Sequence, residues 1–287
     1  MQPVMRQTVL DAIERLDVLD TPAEPLQGLV NQLVPNESEL KDLLSGTWLG
    51  HPLHPVLTDV VLGCWISAGI LDVLGGKAGR TSADRLIALG ILAAVPTAAA
   101  GLADWADLDG GTRRVGSVHA VGNVAALALY SASWVARKRG HRARGMGLSM
   151  LAAGAALGSG WLGGHLSFGK GVGVNQTAFE RWPRRWTAVA VMEDLEDGKA
   201  IQATAGDTKV VVVRQDGSVH ALLDRCSHRG CALSRGQVRG DALVCPCHGS
   251  TFRLEDGAVV KGPATAPQPA FDVRVQEGNV EIRAPQP

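Results

Sequence analysis

The sequence carries no surplus of charge. Its 28 lysines and arginines balance 28 aspartates and glutamates, for a net charge of +0. Such a chain lacks the basic footprint that nucleic-acid binding needs, so no nucleic acid is expected as a partner. Aromatic residues are scarce, at 4% with a single tyrosine, whereas glycine and alanine abound. The first residues show no signal-peptide pattern, because Asp11, Glu14, Arg15 and Asp17 break the apolar stretch. Export is therefore expected to start from a first membrane helix. Cysteine is rare too. Of five, Cys64 stands alone in an apolar run, as a small buried residue would. The other four crowd between Cys226 and Cys247.

The 287 residues leave room for two domains, and the halves are unlike. Apolar runs dominate 55–168, while 185–287 reads as a soluble segment. Four apolar segments, at about 55–74, 85–102, 117–136 and 146–166, approach the roughly 20 residues that cross a bilayer core. Small residues such as Ala93-Ala94 and Ala152-Ala153 let helix backbones approach closely in lipid. A soluble four-helix bundle would need a polar face on each helix, and 118–136 offers very little of one.

Charge sets the expected topology. Lys77 and Arg80 lie between the first two segments, with Arg85 opening the second, and Arg137, Lys138, Arg139, Arg142 and Arg144 lie between the last two. The positive-inside rule puts both connections in the cytoplasm and the C-terminal domain outside a bacterial cytoplasmic membrane crossed several times. Arg181, Arg184 and Arg185, after the fourth segment, run against this assignment. Residues 1–50 read as amphipathic. Ile13, Leu16 and Leu19, then Leu26, Leu29, Val30 and Leu33, recur at helical spacing. Asn36 followed by Glu39 predicts a capping box opening a third short helix through Leu43-Leu44. These helices have two expected berths, the lipid surface and the later domain; the alternative reading of the segment is a partly ordered tail.

The chemistry concentrates in Cys226-Ser227-His228-Arg229-Gly230-Cys231 and Cys245-Pro246-Cys247-His248-Gly249-Ser250-Thr251-Phe252. Read as ligands, these are C-x-H and C-x-x-H. Two thiolates and two imidazoles suit a [2Fe–2S] centre with two cysteines on one iron and two histidines on the other. They also suit a tetrahedral zinc ion.

The segment resembles the Rieske iron–sulfur family, whose boxes read C-T-H-x-G-C and C-P-C-H-G-S. The resemblance implies that Cys226, His228, Cys245 and His248 ligate a [2Fe–2S] cluster, with the cysteines on the buried iron. It implies a disulfide between Cys231 and Cys247, which needs an oxidising compartment. It also makes Gly262-Pro263-Ala264 the proline loop over the cluster and Ser250 a donor to a bridging sulfide. Respiratory members carry a tyrosine where this chain has Phe252, and quinol-oxidising members a leucine where it has Arg229. The lost hydroxyl predicts a potential below the top of the Rieske range of about −150 to +300 mV, and Arg229 counts against a quinol-oxidising subunit.

Around the resemblance, strand-like periods are expected at 187–192, 209–214, 219–223, 242–244, 251–253, 271–276 and 279–283, with Gln215-Asp216-Gly217-Ser218 as a hairpin turn. The expected protein is a multi-domain membrane protein: an N-terminal all-α bundle of four transmembrane helices and a C-terminal all-β Rieske-type domain. Its divisions are 1–50 (amphipathic), 51–172 (membrane), 173–184 (linker) and 185–287 (Rieske).

The membrane segment resembles a family of uncharacterised four-helix bacterial membrane proteins. The matching residues are His51-Pro52-Leu53-His54-Pro55, Asp104, His119 and Gly163-Gly164-His165-Leu166. That family supplies no activity. With four crossings, His51, His54, His119 and His165 fall on the side bearing the C-terminal domain. Asp59 lies about one turn in from that side, and an ionisable group at membrane depth is a functional candidate. Three readings stand for this set: haem b or another metal on two of His54, His119 and His165; a quinone pocket using a histidine and Asp59; and a hydrogen-bonded belt that fixes the bundle.

The expected function is one-electron transfer from a membrane, quinone or haem donor to a redox acceptor protein, in a chain free to form oligomers. The alternatives are a redox subunit of a quinol or haem oxidoreductase and a redox-sensing or assembly protein. An oxygenase would need a mononuclear iron with two histidines and a carboxylate, and no histidine follows His248.

Overall fold

The computed structural model describes residues 3–285. In chain order the helices are α1 (Pro3–Glu14), α2 (Asp20–Leu33), α3 (Glu39–Ser45), α4 (Leu53–Leu74), α5 (Arg80–Trp105), α6 (Gly110–Lys138) and α7 (Arg142–Gly164). The strands are β1 (Thr187–Val191), β2 (Ala200–Ala205), β3 (Thr208–Gln215), β4 (Ser218–Leu223), β5 (Gln237–Arg239), β6 (Ala242–Val244), β7 (Thr251–Arg253), β8 (Val259–Lys261), β9 (Asp272–Gln276) and β10 (Asn279–Arg283). Two compact units result. One takes the chain up to Leu33 and Leu53–Val172; the other takes Val34–Pro52 and the chain from Gly173 onward.

The helical unit contains four helices long and apolar enough to cross a membrane, α4 to α7 with α7 continuing to Gly169. Each extends beyond its apolar segment, because polar ends continue the helix outward. Alanines at positions 83, 94, 100, 103, 152 and 156 are buried between helices, which is the close approach that small side chains permit. Trp65 stacks on Tyr130 with centroids 4.1 Å apart.

Toward one end of this seam lies a charged network. Arg137, whose side chain is fully buried, pairs with Asp72 and with Asp84 at 3.1 Å. Arg142 reaches Asp72 at 2.7 Å and Asp84 at 3.1 Å. Ser133 and Ser149 take the remaining guanidinium protons at 3.1 Å. Burying charge is tolerable only when it is paired and fully hydrogen-bonded.

A repeat is visible in these contacts. His54, Trp65 and Asp72 on α4 meet His119, Tyr130 and Arg137 on α6, and each pair is 65 positions apart. Counterparts that meet each other lie beside a pseudo-two-fold axis.

The N-terminal segment is divided between the two units. Leu10 on α1 packs with Val115, Leu162 and Leu166, and Asp20 on α2 pairs with Arg113 at 3.0 Å and Arg114 at 2.5 Å. Helix α3 belongs with the β unit. Its cap is Ser38, whose hydroxyl accepts from the Lys41 amide at 3.1 Å. The expected Asn36 start is two residues early, since Ser38 is the residue whose extended backbone presents the oxygen.

The β unit holds three antiparallel sheets, ordered β1-β10-β9, β2-β3-β4 and β5-β6-β7-β8. Strand β3 is buried on both faces. Val210 and Val212 enter one core with Phe271, Val280 and Ile282. Val211 and Val213 enter the other with Cys226, Cys245 and Phe252. Strands β2, β5 and β8 escaped the periodicity reading. β2 is alanine-rich, with weak intrinsic preference, and is fixed by pairing with β3; β5 and β8 have three residues each.

Replacing Arg137 by glutamine removes the fully buried cation of the network and leaves Arg142 alone to face both Asp72 and Asp84. The expected loss is about 3–5 kcal/mol, read as a lower unfolding temperature in detergent; the half-exposed Arg142→Gln is expected to cost less.

Candidate metal centre

Two loops of the β unit carry the cysteine and histidine motifs. The first follows β4 and the second joins β6 to β7. They close in the same way. Cys226 N–H donates to the Cys231 carbonyl and Gly230 N–H to the Cys226 carbonyl, both at 2.8 Å. In the second loop Cys245 donates to Ser250 at 2.8 Å, and Gly249 to Cys245 at 3.1 Å. The fifth residue of each closure, Gly230 or Gly249, has φ of +76° or +77°, which glycine adopts without penalty.

The closure folds backbone N–H groups onto the sulfurs. Those of His228 and Arg229 face the Cys226 thiol, and those of Cys247 and His248 face Cys245. The Cys226 thiol also donates a hydrogen bond to the Cys245 sulfur. Cys226 is held well above its ordinary value by this bond and by burial, while Cys245 is lowered to about 7 by its bond to Cys226. The pair thus keeps one proton and releases the other easily.

Cys231 and Cys247 form a disulfide across the loops, with Cα atoms 6.5 Å apart. The sulfurs of Cys231, Cys245 and Cys247 lie within 4.8 Å of one another. Two of them are spent in the bond, so this trio is not itself a ligand set.

His228 and His248 meet at right angles, with centroids 5.1 Å apart. A metal–nitrogen bond of about 2.0–2.1 Å puts each ring centroid about 3.2 Å from the ion, so two imidazoles at a tetrahedral angle stand about 5.2 Å apart. The observed spacing fits one tetrahedral ion. Burial pushes His228 well below its ordinary value, aided by His248, Lys41 and Arg229. A neutral imidazole is the form that ligates.

The surroundings hold residues that the motifs did not reveal. Gln268, 1% exposed, donates to the carbonyls of Leu223 and Arg225 at 2.6 and 2.8 Å and accepts from Ser227 N–H at 2.9 Å. It fixes the first loop. Gln176, expected in a linker, also binds that loop through its N–H to Ser227 at 2.9 Å.

The proline loop is buried at Gly262, Pro263 and Ala264. Ala264 N–H donates to Ser250 Oγ at 3.0 Å. Segment 34–52 sits on this loop. Gly262 N–H donates to Asp42 at 2.6 Å, Thr47 donates to the Ala264 carbonyl at 3.3 Å, and Glu37 pairs with Arg239 at 2.7 Å. A Cβ on Gly262 would stand 2.2 Å from Thr47 Oγ1, so a larger residue there would displace Thr47 from the loop. Lys41 is 1% exposed and close enough to His228 to act on its charge. The only sequence signal for this role was the amphipathic pattern of the segment.

Residues 185–274 match the family described as the Rieske [2Fe-2S] domain, and residues 50–176 match one described as a predicted membrane protein, DUF2231. Ferredoxin CarAc of Metapseudomonas resinovorans is 32% identical over 98 residues, covering 34% of this chain and 92% of the ferredoxin. The chain belongs to the Rieske [2Fe–2S] family. The iron–sulfur subunit of the cytochrome b6-f complex of Chlorobaculum tepidum is 30% identical over 95 residues, which are 33% of this chain and 51% of the subunit. The chain thus spans about half the length of that relative. The solved ferredoxin of carbazole 1,9a-dioxygenase from Nocardioides aromaticivorans IC177 is 27% identical with a TM-score of 0.34, over 35% of this chain and 98% of the ferredoxin. The donors assembled in this Rieske domain, two sulfurs and two imidazoles at tetrahedral spacing, fit a [2Fe–2S] centre.

The candidates of the helical unit part company. His54 and His119 face each other with centroids 6.4 Å apart. His165 instead lies 3.8 Å from Glu14, which Lys170 also reaches at 2.7 Å. Asp59 is exposed on α4 and His51 is exposed before it, because helical rotation turns Asp59 away from the His54 face.

The pH dependence of the cluster-free protein follows from His228. Its folded value lies below the ordinary 6.5, so the unfolded chain binds the proton first. The stability that His228 confers is complete above about pH 6.5 and is lost as pH falls through the folded value. Unfolding temperatures at about pH 7.5 and 5.5 are expected to differ, and the gap is expected to shrink in His228→Asn.

Proposed function

We propose that the chain is a membrane-bound Rieske electron carrier in which Cys226 and Cys245 ligate one iron and His228 and His248 the other. The cluster, when bound, supplies one-electron exchange. The residues around it do the rest. The N–H groups of both loops stabilise thiolate charge, and burial keeps the imidazoles neutral. Ser250 accepts the Ala264 N–H, which leaves its own proton for a sulfide. Phe252 fills the core beside both ligand cysteines. The convergence of the two loops, with their imidazoles at the spacing of a shared tetrahedral ion, carries this reading.

The donor in this proposal is a quinol or haem associated with the four apolar helices, and the acceptor is a redox protein. The relatives are named as ferredoxins and as a cytochrome-complex subunit, and Arg229 in place of leucine favours the soluble-partner role over quinol oxidation. The disulfide and the basic connections at Lys138, Arg139 and Arg144 support an extracytoplasmic Rieske domain in the cytoplasmic membrane. Arg137 and Arg142 weigh less in that count because Asp72 and Asp84 neutralise them.

Anaerobically purified full-length protein is expected to contain two irons and two inorganic sulfides per chain, with the EPR signal of a reduced, mixed-ligand [2Fe–2S] centre. Cys226→Ser and His248→Ala are expected to abolish it. A single zinc without sulfide would refute the assignment.

Lys41 offers a finer check. Reduction adds negative charge, and a buried cation stabilises it. Lys41→Met is expected to lower the midpoint potential by about 60 mV or less, a factor of up to ten in the one-electron equilibrium, in an EPR-monitored redox titration.

A further inference from the structure

Of the three histidines read above as haem or metal candidates, His54 and His119 are the two that face each other. His54 Nδ1 lies 2.9 Å from the Thr97 carbonyl on α5, and His119 Nδ1 lies 2.8 Å from the Ser159 carbonyl on α7. A carbonyl only accepts, so both Nδ1 atoms carry the proton and both Nε2 atoms present a lone pair. Asn123 confirms this for His119, since its side-chain Nδ2 lies 3.0 Å from that Nε2. The Ser159 hydroxyl is 3.1 Å from His119 Nδ1 and donates to the His119 carbonyl at 2.8 Å. Thr97 is followed one turn later by Gly101 and Ser159 by Gly163. A Cβ on either glycine would stand 2.8 or 2.9 Å from the facing imidazole. Each half of the repeat therefore supplies the same holder: a carbonyl that sets the tautomer and a glycine that admits the ring.

The spacing selects the geometry. With a metal–nitrogen bond of about 2.0–2.1 Å, two imidazoles on opposite sides of one ion have centroids about 6.4 Å apart, against about 5.2 Å at a tetrahedral angle. The His54–His119 separation is 6.4 Å, at 87° between ring planes. The tetrahedral case is represented in the same chain by His228 and His248, at 5.1 Å. Axial ligation of this kind leaves the four equatorial positions to a macrocycle, and the side chain that would have to give way is Asn123, whose Nδ2 lies on His119 Nε2 at 3.0 Å. The α6 face that carries His119 is buried at Ala126 and Tyr130 but open at Asn123, so the seam admits a group from the side at that level.

We infer that His54 and His119 are the two axial ligands of one haem iron on the pseudo-two-fold axis of the helical unit, with Asn123 yielding its contact to the iron. Thr97, Ser159, Gly101 and Gly163 position the rings. This deepens the reading of a membrane-side haem donor, and its test is separable from that of the cluster, because the Soret band reports the histidine pair and the [2Fe–2S] EPR signal reports the Rieske domain.

Full-length protein from haem-sufficient cells is expected to hold one haem per chain, with the split α and β bands of a reduced low-spin species. His119→Gly is expected to lose the low-spin spectrum and regain it on addition of imidazole, which shows that the variant keeps its fold. His54→Gly is expected to behave alike, and His165→Ala to keep the wild-type spectrum. Wild-type protein with an intact cluster signal and no haem overturns the inference, whether or not elemental analysis finds a bare copper or zinc ion. A low-spin spectrum unchanged in both glycine variants overturns it too.

Discussion

The proposed cluster site depends on holding two loops so that the two donors on each, Cys226 with His228 and Cys245 with His248, face each other. Neither loop has enough length to bury its own ligands. Each is closed by the same pair of backbone bonds, and the Cys231–Cys247 bridge then removes the freedom of one loop relative to the other. Gln268 clamps the first loop from beneath and Ala264 N–H holds Ser250 in the second. The sulfurs sit in the apolar core with Val211, Leu243 and Phe252, where unpaired thiolates would be costly; the convergent N–H groups offset that cost.

This site was largely legible because its information is local. A cysteine, a histidine two or three residues on and a glycine at the turn announce a ligand loop wherever they occur. The helices were legible for another reason, since apolar length survives any arrangement of neighbours. What resisted was information held between distant residues. Asp42 and Thr47 reach the proline loop across more than two hundred positions, and an amphipathic period says only that a helix has an inner face, not which wall it meets. Membrane depth groups Asp59 with His54, but rotation about α4 separates them, and depth carries no record of rotation; His165, beyond the end of α7, lies beside Glu14 instead. Ser38 displaced Asn36 as a cap because a cap is decided by the backbone of one residue.

The helical unit illustrates how a repeat can be hidden in plain sequence. Its halves share few identities, yet the positions near the axis are occupied by partners in chemistry: imidazole with imidazole, indole with phenol, carboxylate with guanidinium. Residues near a two-fold axis meet their own counterparts, so a duplicated chain would first place like charge against like at that level. Exchange of one member to its opposite removes the repulsion, as Asp72 and Arg137 do. At the histidine level no such exchange has occurred. There two neutral rings face each other with centroids 6.4 Å apart, and Asn123 meets the lone pair of His119.

The departures at the cluster can be joined to the same electrostatic reasoning. Phe252 is fully buried beside Cys226 and Cys245, so the sulfur side of the centre has gained apolar surface and lost a hydroxyl, which disfavours added negative charge. Lys41 and Arg229 act on His228 from the imidazole side, which favours it. The two changes oppose each other and act on different irons in the proposed ligation. The added electron is then drawn toward the histidine-ligated iron, away from the cysteine-rich interior. A cation supplied by helix α3, and not by the cluster loops themselves, makes that balance a property of the whole chain, and a Rieske domain excised at residue 185 would not reproduce it.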